Sequence, residues 1–114
     1  MSDCIFCKIA EGEIPAQMVF ENEHVLAFRD VNPQAPTHVL VIPRRHISTL
    51  NDLQSSDAVL VGEMMLAATQ IAAKENLAEN GYRVVMNCNH DGGQSVYHIH
   101  LHLLGGRYMK WPPG

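Results

Sequence analysis

Three histidines alternate with apolar residues in His98-Ile99-His100-Leu101-His102, and Leu103 and Leu104 follow. Side chains alternate faces along an extended chain. A strand here puts all three imidazoles on one face, with roughly 6.6 Å between successive members. Three chemistries fit such a row. It can be a polar face that happens to be histidine. It can chelate a catalytic metal, since His-x-His is a good chelate, although no further histidine or carboxylate follows at an obvious ligand spacing. It can attack phosphorus, because neutral imidazole is a nucleophile near pH 7. On that reading His100 attacks with one ring nitrogen while a carbonyl or neighbour holds the other. His98 and His102 then supply protons and charge to the phosphate oxygens and leaving group. The strict period favours the third reading. So does the adjacent Asp91-Gly92-Gly93-Gln94-Ser95, where small residues let backbone N–H groups approach an anion and Ser95 adds a hydroxyl.

These residues need elements to hold them. Ser95 to Leu104 is expected as a strand ended by Gly105-Gly106, with Ile99, Leu101 and Leu103 turned to the core. Their cover is the one long helical pattern, Asp52 to Leu77, where Leu60, Met64, Ala67, Ala68 and Ile71 form an apolar stripe. Ser55 or Ser56 suits its start, and Asn80-Gly81 offers a left-handed stop beyond it. Residues 4–10 fit one or two helical turns, closed by Gly12 and Pro15. Met18 to Glu21 and Val25 to Asp30 read as strands joined by Asn22-Glu23. Thr37 to Ile42 is a strand stopped by Pro43, and Tyr82 to Asn87 is another. Asn32 to Pro36, Asn89 to Gln94 and the tail from Arg107 to Gly114 read as irregular. Few helices and paired strands give an α+β class with a mostly antiparallel sheet.

Composition bounds the rest. A chain of 114 residues, 46% hydrophobic and 18% charged, is expected to be one globular domain, 1–114. Eight basic and 12 acidic residues leave a net charge of −4, which argues against a nucleic-acid partner. No apolar run approaches the ~20 residues that span a bilayer. The opening Met1-Ser2-Asp3-Cys4 has neither a basic start nor an apolar stretch, so no signal peptide and a cytoplasmic location are expected. Three cysteines make no disulfide framework, and so short a chain gains by dimerising.

The segment from His98 to Leu104 resembles the His-φ-His-φ-His-φ-φ signature of the histidine-triad (HIT) superfamily, where φ is apolar. Asp30 to His38, Gly92 to Tyr97, Gly105-Gly106-Arg107 and Trp111-Pro112-Pro113-Gly114 extend the likeness to the Hint branch, the histidine-triad nucleotide-binding proteins. The resemblance implies a HIT-like α+β fold with a five-stranded antiparallel sheet and two helices. It implies a homodimer with a ten-stranded sheet. It implies hydrolysis of purine nucleoside phosphoramidates to AMP or GMP and an amine, with no cofactor in the chemistry. By that likeness His100 forms a nucleotidyl-histidine, and His98 orients the network. His38, His102, Asn87, Gly93, Gln94 and Ser95 meet the phosphate or leaving group. Asp30 holds the ribose, and Ile5, Phe6, Ile9, Phe28 and Val31 line the purine slot. Read as residues alone, Ile5, Phe6, Ile9 and Phe28 also suit core packing, and Asp30 suits a loop start. Trp111 suits either closure over a site, from this subunit or its partner, or packing of the tail. His102, where the uridylyltransferase branch has glutamine, favours hydrolysis over transfer. A dinucleoside polyphosphate hydrolase of the same superfamily and a nucleotide-binding adaptor are the alternatives.

Cys4-x-x-Cys7 is a separate signal. Two thiolates at this spacing in a reducing compartment suit half a zinc site, and His46 and His98 are the candidates for the other half. Some bacterial members of the superfamily carry such a Cys2His2 zinc, whereas many Hint proteins lack the second cysteine. Four protein ligands would make it structural, with His98 neutral and fixed. The alternative is two small buried residues at a helix start. Cys88 reads as a small strand residue near the phosphate loop, or as a reactive thiol there. His24 and His90 read as surface residues, and Arg44 and Arg45 as a solvated face.

Overall fold

The computed structural model describes residues 3–114; Met1 and Ser2, part of the stretch on which the absence of a leader was read, lie outside the described residues. Five strands form one sheet: β1 (Met18–Glu21), β2 (Val25–Arg29), β3 (Thr37–Pro43), β4 (Tyr82–Met86) and β5 (Leu101–Gly105). Their order is β1-β2-β3-β5-β4, and every neighbouring pair is antiparallel. The helices are α1 (Ile5–Ala10), α2 (Ala58–Lys74) and the single turn α3 (Asn89–Gly92). The five-stranded antiparallel sheet of the HIT-like fold is as expected.

Period two divides the core into two layers. Val25, Ala27, Val39, Val41, Leu101 and Leu103 face α2 and pack on Met64, Ala67, Ala68 and Ile71. All four of those helix residues belong to the stripe read from sequence, and Ile99 joins them from the ladder segment. The small alanines let the helix lie close to the sheet. On the opposite face Leu26, Phe28, Leu40 and Ile42 pack under Phe6 of α1. By the same alternation His38 shares the α1 side with Leu40 and Ile42, and His102 shares it with Leu104.

Several boundaries differ from expectation. The last strand begins at Leu101, where pairing with both Val41 and Met86 starts. Residues 95–100 are irregular because Ile99 N–H bonds the Ile47 carbonyl instead of a ladder partner (2.7 Å). His98 and His100 therefore precede the strand, yet the alternation of apolar and imidazole faces persists through them. The long helix starts at Ala58, not Asp52, because two 3-10 turns, Leu50–Asp52 and Ser55–Asp57, occupy the lead-in. Its N-cap is Asp57, not Ser55 or Ser56. Asp57 spends its carboxylate on the Gln54 N–H (2.8 Å) and on Arg45. The left-handed stop is Asn76 (φ 62°), which lets Leu77 N–H return to the Ala72 carbonyl (2.9 Å). Asn89 to Gln94, expected as a loop, contains α3. Gly105-Gly106 does end β5. A side chain at Gly106 (φ 94°) would meet Pro36 at 2.8 Å.

Candidate active site

The hydrogen bonds assign each imidazole its tautomer. A backbone carbonyl can only accept, so the 2.9 Å contact between His100 Nδ1 and the His98 carbonyl puts the proton on Nδ1. The Nε2 of His100 therefore keeps its lone pair. A backbone N–H can only donate, so the Gln34 N–H at 3.0 Å makes His38 Nδ1 an acceptor. His38 then carries its proton on Nε2 and donates it to His102 Nδ1 at 2.9 Å. That leaves His102 with Nε2–H. His98 donates Nε2–H to the Pro43 carbonyl (2.8 Å) and turns Nδ1 toward Cys4 and Cys7.

Burial reinforces this neutral set. It holds His38, His98 and His100 below the ordinary imidazole range. His102 is pushed down to about 4, by burial first and then by the like charges of His100 and His38. The rings of His100 and His102 lie 4.9 Å apart, and Phe6 presents its edge to His100 at 5.1 Å. A lone pair at His100 and an N–H at His102, side by side and uncharged at pH 7, can attack an electrophile and donate a hydrogen bond to the oxygens around it.

These two histidines open into a cleft of about 380 Å³. Ile5, Phe6 and Ile9 line it from α1, and Phe28, Asp30 and Val31 line it from β2 and the segment after it; Ser95 completes the expected set. Ile5 is 46% exposed and Phe6 is 6% exposed, so the first residue serves the cleft and the second serves core and cleft together. Asp30 is the loop-start residue and also borders the cleft. One carboxylate oxygen accepts the Asn32 N–H (2.8 Å) at a loop start; the other lies 3.4 Å from His38 Nε2 and the residue borders the cleft.

The remaining expected contacts fall elsewhere. His38 and Asn87 line a second cleft of about 410 Å³, which shares His102 with the first. His38 is 5% exposed, with one ring nitrogen accepting from the Gln34 N–H and the other donating to His102. Gln94 donates its carboxamide N–H to the Ser48 and Val96 carbonyls and accepts from Asn89 N–H. Its side chain is committed to bracing the loop. The N–H groups of Gly93 and Gln94 return to the His90 and Asn89 carbonyls, so they close the α3 turn and do not form an anion cradle. Trp111 lies 6.0 Å from the Arg83 guanidinium and is absent from the lining of the first cleft. His24 and His90 are on the surface, and Arg44 and Arg45 pair with Glu21 and Asp57.

Sequence reading missed two things. Leu40 and Val96 line the first cleft, and Leu40 was legible as the period-two neighbour of His38. Asp30, His38 and His102 place one donor atom each within 4.8 Å of one another, a grouping that spacing along the chain did not reveal. His38 has no lone pair left for a metal there, because one nitrogen accepts from Gln34 and the other donates to His102.

The second cluster does fit a metal. Cys4, Cys7, His46 and His98 place one donor each within 4.8 Å of one another. Around a tetrahedral zinc, sulfur-to-nitrogen ligand edges are about 3.5 Å and nitrogen-to-nitrogen edges about 3.3 Å. The structure has 3.4 Å for Cys4 to His98, 3.4 Å for Cys7 to His46, 3.6 Å for Cys7 to His98 and 3.3 Å between the two Nδ1 atoms. The outer nitrogens are held as well, His98 by Pro43 and His46 by Ser48 Oγ at 3.1 Å.

A five-stranded antiparallel sheet that carries three uncharged imidazoles beside a largely apolar cleft is the arrangement of the histidine-triad class. A family model for the HIT domain matches residues 11–109. A purine nucleoside phosphoramidase of Escherichia coli is 51% identical over 105 residues, 92% of this chain and 88% of that protein. An uncharacterised HIT-like protein of Synechococcus elongatus is 53% identical over 112 residues, 98% of this chain and 97% of that one. The crystal structure of a HIT family hydrolase from Legionella pneumophila superposes with a TM-score of 0.97 at 59% identity, covering 98% of this chain and 100% of that chain. The chain belongs to the HIT domain family.

Proposed function

We propose that the chain hydrolyses purine nucleoside 5′-phosphoramidates to the nucleoside monophosphate and an amine. The observation that carries this is the His100 ring, whose Nδ1–H is locked on the His98 carbonyl so that Nε2 is bare beside the cleft. The purine lies between Ile5, Phe6, Ile9, Phe28 and Val31, and Asp30 takes the ribose hydroxyls. His100 Nε2 attacks the α-phosphorus as the P–N bond breaks; the departing amine takes its proton from solvent, while the neutral His102 keeps its Nε2–H and donates it as a hydrogen bond to the phosphoryl oxygens. Water then attacks the nucleotidyl-histidine, its proton returns to solvent, and the P–Nε2 bond breaks to release the monophosphate and restore the His100 lone pair. Ser95 meets the leaving group from the cleft wall. Asn87 approaches the phosphate from the second cleft, and His38 keeps His102 in the donor tautomer.

Cys4, Cys7, His46 and His98 hold a structural zinc in this reading. The metal fixes the N-terminus of α1, and the His98 carbonyl keeps its grip on His100. A reducing cytoplasm is the compartment in which these thiolates persist as ligands. No described helix is long and apolar enough to cross a membrane. The active species is a homodimer. Strand β4 lies at the sheet edge, and Val59, Met65 and Leu66 leave apolar surface on α2 at 73%, 46% and 63% exposure. Pairing β4 with its copy would join two sheets of five into one of ten, and light scattering at twice the chain mass is the expected reading.

Replacing His100 with alanine tests the chemistry. Nucleotide binding should persist while release of AMP from adenosine 5′-phosphoramidate falls by at least about 10³-fold. An unchanged rate would overturn the mechanism.

A further inference from the structure

Cys4 and Cys7 bracket Ile5 and Phe6, and both bracketed residues line the first cleft. The Lys8 N–H bonds the Cys4 carbonyl at 3.1 Å and closes the first turn of α1. One such turn sets Cα atoms three residues apart at about 5 Å, inside the span a disulfide accepts. The two sulfurs lie within 4.8 Å of each other, and Cys4 Sγ accepts the Cys7 N–H at 3.4 Å. Cys4 is half-buried and Cys7 is buried, so a small oxidant meets Cys4 first and Cys7 stands behind it. On its inner side the pair reaches the nucleophile. His98 Nδ1 sits 3.4 Å from Cys4 Sγ and 3.6 Å from Cys7 Sγ, and the His98 carbonyl holds His100 Nδ1–H. Phe6 packs edge-on against both rings, 5.9 Å from His98 and 5.1 Å from His100. One pair of thiols thus adjoins both the wall of the cleft and the ring that sets the His100 tautomer.

We propose that Cys4 and Cys7 are an oxidation site: a peroxide converts them to a disulfide, which empties the metal cluster and slows hydrolysis. The inference rests on the phosphoramidate and zinc readings above. The Cys4 thiolate attacks one peroxide oxygen, the O–O bond breaks, and hydroxide leaves. The Cys7 thiolate then attacks the Cys4 sulfenic sulfur; the S–S bond forms, the S–O bond breaks, and a second hydroxide leaves. Two electrons pass from the thiolates to the peroxide, and two solvent protons turn the hydroxides into water. A disulfide offers no thiolate, so His46 and His98 alone remain as donors and the metal is released. His98 then keeps the Pro43 carbonyl as its anchor, and the grip of its own carbonyl on His100 slackens. The bridged turn also moves Ile5 and Phe6, so the purine wall and the nucleophile are disturbed together.

The test uses the zinc-loaded chain carrying Cys88→Ser, which removes the third thiol; Cys88 lines neither cleft. Hydrogen peroxide should lower the intact mass by two hydrogens, consume both thiols and release about one zinc per subunit to a chromogenic chelator. The kcat/KM for adenosine 5′-phosphoramidate should fall at least about tenfold in step with that release. Dithiothreitol with added zinc should restore it. The reversal separates the disulfide from methionine oxidation, which needs a dedicated reductase to undo. Cys4→Ser should keep its residual rate under the same peroxide. Two thiols that still titrate after peroxide overturn the oxidation site, whether or not the chain holds metal. A disulfide that forms while kcat/KM stays put overturns the coupling to the active site. A reduced chain without zinc overturns the metal reading and the release step with it. A reduced chain that yields no AMP overturns the hydrolase reading and the slowing with it. Mass and thiol count judge the disulfide apart from both.

Discussion

His38 and His102 are joined Nε2 to Nδ1 at 2.9 Å, and the Gln34 backbone N–H on the far nitrogen of His38 sets the direction of that bond. The pair straddles two strands, since Leu40 faces His102 and His38 faces Leu104 across the β3–β5 ladder. The diagonal lets the rings approach to 5.2 Å. One main-chain donor thereby decides which nitrogen of His102 offers a proton to the cleft.

His38→Phe should therefore damage turnover without damaging binding. The aromatic volume is roughly kept, but His102 Nδ1 loses its donor and the ring is free to change tautomer. We expect kcat to fall about 10–100-fold with KM for adenosine 5′-phosphoramidate within about threefold. Nitrogen chemical shifts of His102 should show the proton redistributed between its two ring positions. A purely structural role for His38 would lower the thermal midpoint and leave the tautomer unchanged.

The depressed pKa of His102 has a signed consequence for stability. The folded value is about 4 and the ordinary value 6.5. Between those limits the unfolded chain binds a proton that the folded chain refuses. The contribution of His102 is thus fully present above pH 6.5, is lost as pH falls toward 4, and levels off below it. Allowing for partial exposure, the loss is on the order of 2 kcal/mol. Denaturant titrations at pH 7 and pH 4.5 should show His102→Gln losing less stability than the unmodified chain over that interval. Equal losses would mean that His102 titrates normally.

How much of this was legible in the chain follows a physical line. Alternation carries across residues without regard to hydrogen bonding, so the imidazole face and the Ile99-Leu101-Leu103 face were readable even though His98 and His100 lie outside the strand. The stripe on α2 was readable for the same reason, because periodicity reports burial directly. Its start was not, since Asp57 competes with Ser55 and Ser56 through tertiary pairing with Arg45. Spacing also cannot show which donors are already spent. The side chain of Gln94 and the N–H groups of Gly93 and Gln94 suit a phosphate by type, but Ser48, Val96, His90 and Asn89 claim them locally.

Ile5 separates binding from folding. It lines the first cleft yet is 46% exposed, whereas Phe6 beside it is core. Ile5→Ala should raise KM for adenosine 5′-phosphoramidate about fivefold, in line with about 1 kcal/mol of apolar contact with the purine. kcat should stay within about twofold, and the thermal midpoint should move by no more than about 2 °C. An unchanged KM would remove Ile5 from the purine slot.

The cluster of Cys4, Cys7, His46 and His98 is tied to His100 through one residue. His98 offers Nδ1 to the cluster, while its carbonyl holds His100 Nδ1–H. Elemental analysis of the purified chain should find about one zinc per subunit. Cys7→Ser should lose it. Both that variant and a chelator-treated sample should melt about 10 °C lower, since about 1 kcal/mol corresponds to about 4 °C in a chain of this size. Because the four donors close the site, the metal has no place for substrate, and hydrolysis at 20 °C should survive chelation at a reduced rate as the grip on His100 loosens. Restored zinc should return both the midpoint and the rate. Complete loss of turnover with the melting point unmoved would mean that the metal takes part in the chemistry and that the four-donor assignment is wrong.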